Sequence, residues 1–249
     1  MKMIMKKILL TMGLILSTSL SFAEDKIIHI TSLDWPPYAS ESLDQQGASV
    51  AVAKAAFEAM GYELKVDFYP WSRAIALAKD SSSRYSGYFP EYFSDDTAKD
   101  FIYSDAMGSG PLGFAERKDK SISWSTLADL KPYRIGIVQD YINTTEFDAM
   151  IADKSLKSSM TTSDDKNLQK LMGGRVDLAV VDKNVMNYLF KTNPNLAKKT
   201  GEAQFNSTLL EDKKLFICFK KGPQGEKIAK IYNEGLKKID ITAIMNKLL

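Results

Sequence analysis

The sequence predicts an α/β fold, and three observations carry that reading. Residues 27–69 run alternating stretch, alanine-rich stretch, alternating stretch, which reads as strand, helix, strand. A second α/β pattern starts at Ser125. Between the two runs lies Gly108-Ser109-Gly110-Pro111-Leu112-Gly113, a segment suited to a flexible crossover between two units.

The first run opens with the alternating Ile27-Ile28-His29-Ile30, a strand. Pro36-Pro37 must end it, because proline donates no N–H to a ladder. The stretch TSLDWPPYAS (31–40) therefore leaves Asp34, Trp35 and Tyr38 at a strand's carboxyl end, where open α/β sheets place ligand crevices. The same residues also suit an aromatic turn packed on the core. Residues 48–60 form a helix with Val52, Ala56 and Met60 at four-residue spacing and Gly61 as its stop. Residues 62–69 alternate Leu64, Val66 and Phe68 against Glu63, Lys65 and Asp67, a second strand. Pro70 ends it, and residues 71–79 (WSRAIALAK) return to helical propensity before the turn at Ser81-Ser82-Ser83. Residues 85–89 and 101–103 are short strands on either side of a helical turn near 94–99. Eleven aromatic residues lie between Tyr62 and Tyr103, a density that favours a stacking-lined crevice over an aliphatic core.

In the second run, residues 126–130 form a short helix, 133–138 a strand, and Asn143-Thr144-Thr145-Glu146 opens another helix with a capping-box pattern. Thr162 or Ser163 caps a helix over 164–172, stopped by Gly173-Gly174. Residues 176–181 are almost wholly apolar, as buried parallel strands are, and Asp182 stands at the end of that strand. A helix over 184–191, strand-like segments at 207–210 and 215–219, an amphipathic helix from Pro223 and a terminal turn near 243–248 complete the chain.

Residues 1–23 carry Lys2, Lys6 and Lys7, then an apolar run, then small residues ending in Ala23, which is the pattern of a cleaved secretory signal peptide. That segment holds three lysines and no acid. Without it the 33 basic and 31 acidic residues come within one charge of balance, so nucleic acid is not an expected partner. The remainder suffices for one large domain or two lobes of roughly 100 residues each. Cys218 is the single cysteine, so no intrachain disulfide is expected, and its setting in LFICF reads as a small buried hydrophobe. The G-x-G-x-x-G match at 108–113 is rejected as a nucleotide site, because Pro111 removes a donor where a phosphate needs one and the chain reads as exported. No spacing for a metal site appears, and no cofactor is expected. His29, the one histidine, lies within a strand and reads as structural.

Taken in order, DWPPYAS, Tyr103-Ser104-Asp105, TLADLKPYRIGIVQD and GGRVDLAVVD resemble the family 3 periplasmic solute-binding proteins of polar amino-acid ABC transporters, and PWSRA resembles a divergent PW-x-RA branch. The resemblance covers residues 25–249. It implies the two-lobed periplasmic binding protein fold (type II), each lobe a mixed sheet flanked by helices, with two hinge crossovers. Lobe 1 would comprise 24–113 and 211–249, lobe 2 residues 114–210, and a small polar solute would bind between them. It further implies a monomer in the periplasm, partnered by a membrane permease, that is not an enzyme. Asp182 matches the family's acceptor for the ligand amino group, and Asp140 ends the lobe 2 motif. The family's carboxylate-binding arginine is replaced by Thr97, and the acid of its first helix is absent.

The candidate ligand-binding residues are thus Asp34, Trp35, Tyr38, Trp71, Arg73, Glu91, Asp140 and Asp182. Arg73 is either a carboxylate anchor or a solvated helix arginine. Asp182 is either a ligand acceptor or the cap of the helix after it. Besides transport, the same scaffold serves as the binding module of a periplasmic sensor. A third reading is an enzyme such as a dehydratase of a prephenate-like acid, using Glu91 and Asp182 as acid and base.

Overall fold

The computed structural model of the chain describes residues 26–249, and the expected signal peptide at 1–23 lies outside the described residues. Strand β1 (Ile27–Ser32) pairs in parallel with β2 (Glu63–Phe68) and with β3 (Gly87–Glu91). Parallel neighbours need crossovers, and α1 (Ala48–Glu58) and α2 (Trp71–Lys79) supply them. Helix α3 (Asp95–Asp100), β4 (Phe101–Tyr103) and β5 (Gly108–Arg117) follow. The second run is β6 (Arg134–Val138), α4 (Thr145–Ala152), β7 (Lys157–Thr161), α5 (Asp164–Met172) and β8 (Leu178–Asp182), with β6 parallel to both β7 and β8. Helices α6 (Lys183–Thr192) and α7 (Pro194–Ala197) lead to β9 (Ala203–Phe205) and β10 (Glu211–Lys220). Helices α8 (Pro223–Leu236) and α9 (Ile241–Leu248) end the chain.

The strands join in the order β2-β1-β3-β10-β5-β8-β6-β7, with β4 added on β10 and β9 on β5. Strand β10 is the seam. Its first five residues run antiparallel to β5, and from Phe216 onward it pairs with β3 and β4, with a register shift between Phe216 and Cys218. The two parallel α/β runs thus sit on opposite sides of the β5–β10 pair. One continuous buried apolar cluster runs through both sides. Phe57 packs with Tyr232 and Phe219 on one side, at centroid distances of 5.1 and 6.5 Å, and Phe114 packs with Trp124 and Phe147 on the other, at 5.6 and 6.0 Å.

Several sequence expectations need correction. The glycine segment 108–113 is the first part of a ten-residue strand, paired to β10. Residues 207–210 form no strand; the Thr208 N–H turns back to Asn206 Oδ1 at 3.0 Å and leaves the ladder, and the strand lies earlier, at Ala203–Phe205. The terminal turn is a full helix, α9. The aromatic density of 62–103 divides between two places: Tyr88, Phe89 and Phe101 are buried in the core of the first half, while Tyr69, Trp71 and Tyr92 face cavities.

Candidate functional site

The parallel strands β1, β2, β3, β6, β7 and β8 all deliver their carboxyl ends toward one cleft, so the loops after them face each other across it. The loop after β1 is a tight turn, in which Trp35 N–H donates to Ala39 O at 2.6 Å and Tyr38 N–H to Trp35 O at 3.0 Å. The first amides of α1 hold it from behind: Ala48 N–H donates to Pro37 O and Ser49 N–H to Tyr38 O, at 3.0 and 2.8 Å. Gly47 makes this approach feasible. Its φ is +99°, and a Cβ there would lie 2.7 Å from the Tyr38 carbonyl carbon, so only glycine fits. The Trp35 and Tyr38 rings stack at 4.6 Å, and Tyr92 meets Trp35 edge-on at 6.1 Å.

Five side-chain hydrogen bonds cross from the first run to the second. Trp35 Nε1 donates to Asp164 Oδ2 at 3.1 Å, Tyr38 Oη donates to Asp182 Oδ2 at 3.0 Å, and Asn184 Nδ2 donates to Tyr38 Oη at 2.9 Å. Trp71 Nε1 donates to the Asp140 carbonyl at 3.1 Å, and Ser72 Oγ to Asp140 Oδ2. Asp182 divides its oxygens between two tasks. Oδ1 caps α6 by accepting from Asn184 N–H at 2.7 Å and Val185 N–H at 3.2 Å, while Oδ2 takes the Tyr38 hydroxyl.

Between these contacts lies a cavity of about 640 Å³, bounded by the rings of Trp35, Tyr69, Trp71 and Tyr141 and by Asp34, Asp164 and Asp165. A second cavity of about 30 Å³ sits between Trp35, Trp71, Glu91, Tyr92, Tyr141 and Leu215. The Tyr92 hydroxyl is buried beside it with no hydrogen-bond partner.

Burial sets the electrostatics. It raises Asp164 to about 7, with the Asp182 charge adding to the effect and the hydrogen bonds from Trp35 and Tyr141 opposing it. Burial likewise raises Asp182 to about 7, against the pull of the Val185 and Asn184 amides. Glu91 is pushed to about 8 by burial, opposed by the Tyr92 N–H, the Tyr88 hydroxyl and the ammonium of Lys213. Lys213, on the seam strand, is 6% exposed. Its Nζ stands 3.5 Å from Glu211 Oε2 and 5.3 Å over the Tyr92 ring.

Of the residues singled out from sequence, the cleft brings together Asp34, Trp35, Tyr38, Trp71, Glu91, Asp140 and Asp182. Arg73 stands apart: it is exposed, with its guanidinium 5.5 Å over the Tyr69 ring, and does not line either cavity. Sequence reading missed Asp164, Tyr92, Tyr141, Asn184 and Lys213. Asp164 opens a helix whose start was legible, but β7 before it, reading KSSMT at an exposed edge, lacks the apolar alternation that marks a strand end.

No protein-family model matches the chain, and no curated protein matches it in sequence. Solved structures do. A histidine kinase sensor domain with similarity to periplasmic binding proteins is 20% identical with a TM-score of 0.74, over 91% of this chain and 98% of that one. An amino acid ABC transporter substrate-binding protein from Streptococcus pneumoniae, bound to L-arginine, is 15% identical with a TM-score of 0.70, over 90% and 92%. An ancestral amino acid-binding protein, a precursor of cyclohexadienyl dehydratase, is 16% identical with a TM-score of 0.67, over 90% and 93%. At these identities the likeness is one of fold, and the chain has the two-lobed α/β fold of the periplasmic binding proteins.

Proposed function

We propose that this protein captures a small polar solute between two lobes outside the cytoplasm and delivers it to an ABC transporter permease. The observation that carries the reading is the cleft itself. Five side-chain hydrogen bonds join its two walls around a cavity of about 640 Å³, a volume that suits a small molecule. In this reading residues 24–113 and 211–249 form one lobe and 114–210 the other, hinged at β5 and β10. Residues 1–23 direct export and are removed, leaving a periplasmic monomer. The solute contacts come from Asp34, Trp35 and Trp71, which line the larger cavity, while Tyr38, Asp140 and Asp182 tie the walls together, Glu91 borders the smaller cavity, and Arg73 stands outside both. The closing cross-cleft bonds link ligand binding to lobe closure.

Thermal-shift screening of the mature protein against amino acids, amines and organic acids tests it. A ligand at 100 times its Kd adds about 2.7 kcal/mol of stability. Small-angle scattering at saturation should then show compaction. A hit with no change in radius of gyration would count against closure, and no hit in any class would count against capture. A sensing role is the second reading, favoured by the likeness to a histidine kinase sensor domain. Permease genes beside this one support transport; a membrane receptor gene in their place supports sensing.

A further inference from the structure

We propose that the solute is an organic cation, seated against Asp164 between the rings of Trp35, Trp71 and Tyr141, with Asp34 and Asp182 supplying further negative charge. The inference rests on the solute-capture reading and narrows it to one chemical class.

The charge inventory of the cleft is one-sided. Asp34, Asp164 and Asp165 line the cavity, and among the described residues no lysine, arginine or histidine does. Asp34 accepts no hydrogen bond and forms no ion pair among the described residues. Asp164 and Asp182 are 6% and 2% exposed, and every hydrogen bond they accept comes from a neutral donor: an indole, phenol hydroxyls or backbone amides. Lys213 is the one buried ammonium nearby, and it is engaged elsewhere, by Glu211, the Tyr92 ring and the field of Glu91. Buried carboxylates are normally paired with a cation. Among the described residues neither carboxyl has a cationic partner, and burial raises each to about 7.

A second observation points the same way. The Tyr92 hydroxyl is buried without a partner, and its surroundings are Asp182, Tyr38, Asp164 and Tyr141. A hydroxyl kept there can accept from a water in the small cavity that relays to an N–H donor held by the carboxylates. The walls complete the fit. Trp35, Trp71 and Tyr141 present ring surfaces to the cavity, and aromatic faces attract cations. A carboxylate on the solute would find no cationic side chain on the cavity wall.

The test is calorimetry on the mature protein with L-arginine, agmatine, putrescine and choline, against L-glutamate and L-glutamine. At least one cation is expected to bind saturably, and glutamate and glutamine are not. Asp164→Asn should weaken the cation at least about 30-fold, as loss of one partner of a buried charge pair does. Asp34→Asn, an exposed change that no fold contact depends on, should weaken it about threefold to tenfold and keeps the test valid if Asp164→Asn fails to fold. Binding of glutamate or glutamine in preference to all four cations overturns the cation inference while leaving solute capture standing. Silence from all six probes overturns the cation inference, and capture itself falls only with silence across the wider thermal-shift screen. Cation affinity unchanged in both Asp34→Asn and Asp164→Asn overturns the assignment of the seat.

Discussion

Tyr38→Phe removes one oxygen and isolates one link between the cleft walls. That oxygen donates to Asp182 Oδ2 at 3.0 Å and accepts from Asn184 Nδ2 at 2.9 Å. Tyr38 is fully buried, so in the closed protein neither partner gains water in exchange. A hydrogen bond to a charged group contributes about 1.5–3 kcal/mol, and losing it from a buried site costs the desolvation of what is left. In an open cleft the same groups are hydrated and the loss costs little. The cost therefore falls on the closed state, about 2 kcal/mol, or roughly 30-fold in the closed-to-open ratio. Ligand affinity should fall by the same factor, because a solute held by both walls binds only when they meet. Asp182 keeps its cap on α6 through Oδ1, so the fold should persist, with a melting change of at most about 4 °C per kcal/mol. Calorimetry gives the Kd, and small-angle scattering without ligand gives the closed fraction. A variant with wild-type affinity would refute the reasoning, as would one whose affinity loss is matched by loss of global stability in urea.

Three further outcomes follow from the same geometry. Gly110→Ala places a Cβ inside contact distance of Asp182 Oδ2 and Tyr38 Oη, so it should lower affinity as strongly as Tyr38→Phe and cost about 1–3 kcal/mol by overpacking, read from urea melts and calorimetry. Trp71→Phe keeps a ring at the cavity but loses the Nε1 bond to the Asp140 carbonyl; affinity should fall about fivefold with stability within 0.5 kcal/mol. Asp164 and Asp182 titrate near 7 when folded and at about 3.9 when unfolded, so the folded chain retains their protons between those limits. The stability they contribute is full below about pH 4 and is lost as pH rises through 7. The ligand-free protein should therefore melt higher at pH 5 than at pH 8, and Asp164→Asn should flatten that slope. The groups facing this pair are Trp35, Tyr141, Asp165 and Tyr92 for Asp164, and Tyr38, Asn184 and Asp212 for Asp182. An equal or steeper slope in the variant would remove Asp164 from the account.

The legible parts of the sequence were those where a buried strand or a proline forces local structure. Pro36-Pro37 fixed the turn that carries Trp35 and Tyr38, and the apolar run before Asp182 marked a buried strand with its end in the cleft. The illegible parts depend on partners distant in sequence. Gly110 reads as a flexible crossover until Tyr38 and Asp182 are seen to occupy the space a side chain would need. Lys213 reads as one lysine in a charged turn, because the burial of its ammonium comes from the seam between two halves of the sheet. Asp164 reads as a helix-start residue, because its indole donor lies 129 residues away. Trp35 suits both a core and a pocket in sequence, and it takes both parts: the ring is 7% exposed, yet its N–H reaches across the cleft.

Carboxyls that titrate near neutrality also serve as catalytic acids, so Glu91 at about 8 and Asp182 at about 7 require the enzyme reading to be weighed. Their hydrogen bonds argue against it. Glu91 Oε1 accepts from the Tyr92 N–H at 2.8 Å and Oε2 from the Tyr88 hydroxyl at 3.1 Å, and Asp182 has both oxygens engaged. A general acid or base must come within about 2.6–3.2 Å of the proton's partner, directly or through one water. Glu91 borders only the cavity of about 30 Å³, room for a water or two and not for a substrate. Asp182 lines neither cavity. With their oxygens engaged and no substrate-sized space beside them, these two carboxyls are not placed to exchange a proton with a substrate. Prephenate incubated with the mature protein should therefore yield product no faster than in buffer alone, followed by the absorbance of the aromatic product. Turnover above that background that disappears in Glu91→Gln would overturn this argument and make Glu91 the acid of an enzyme.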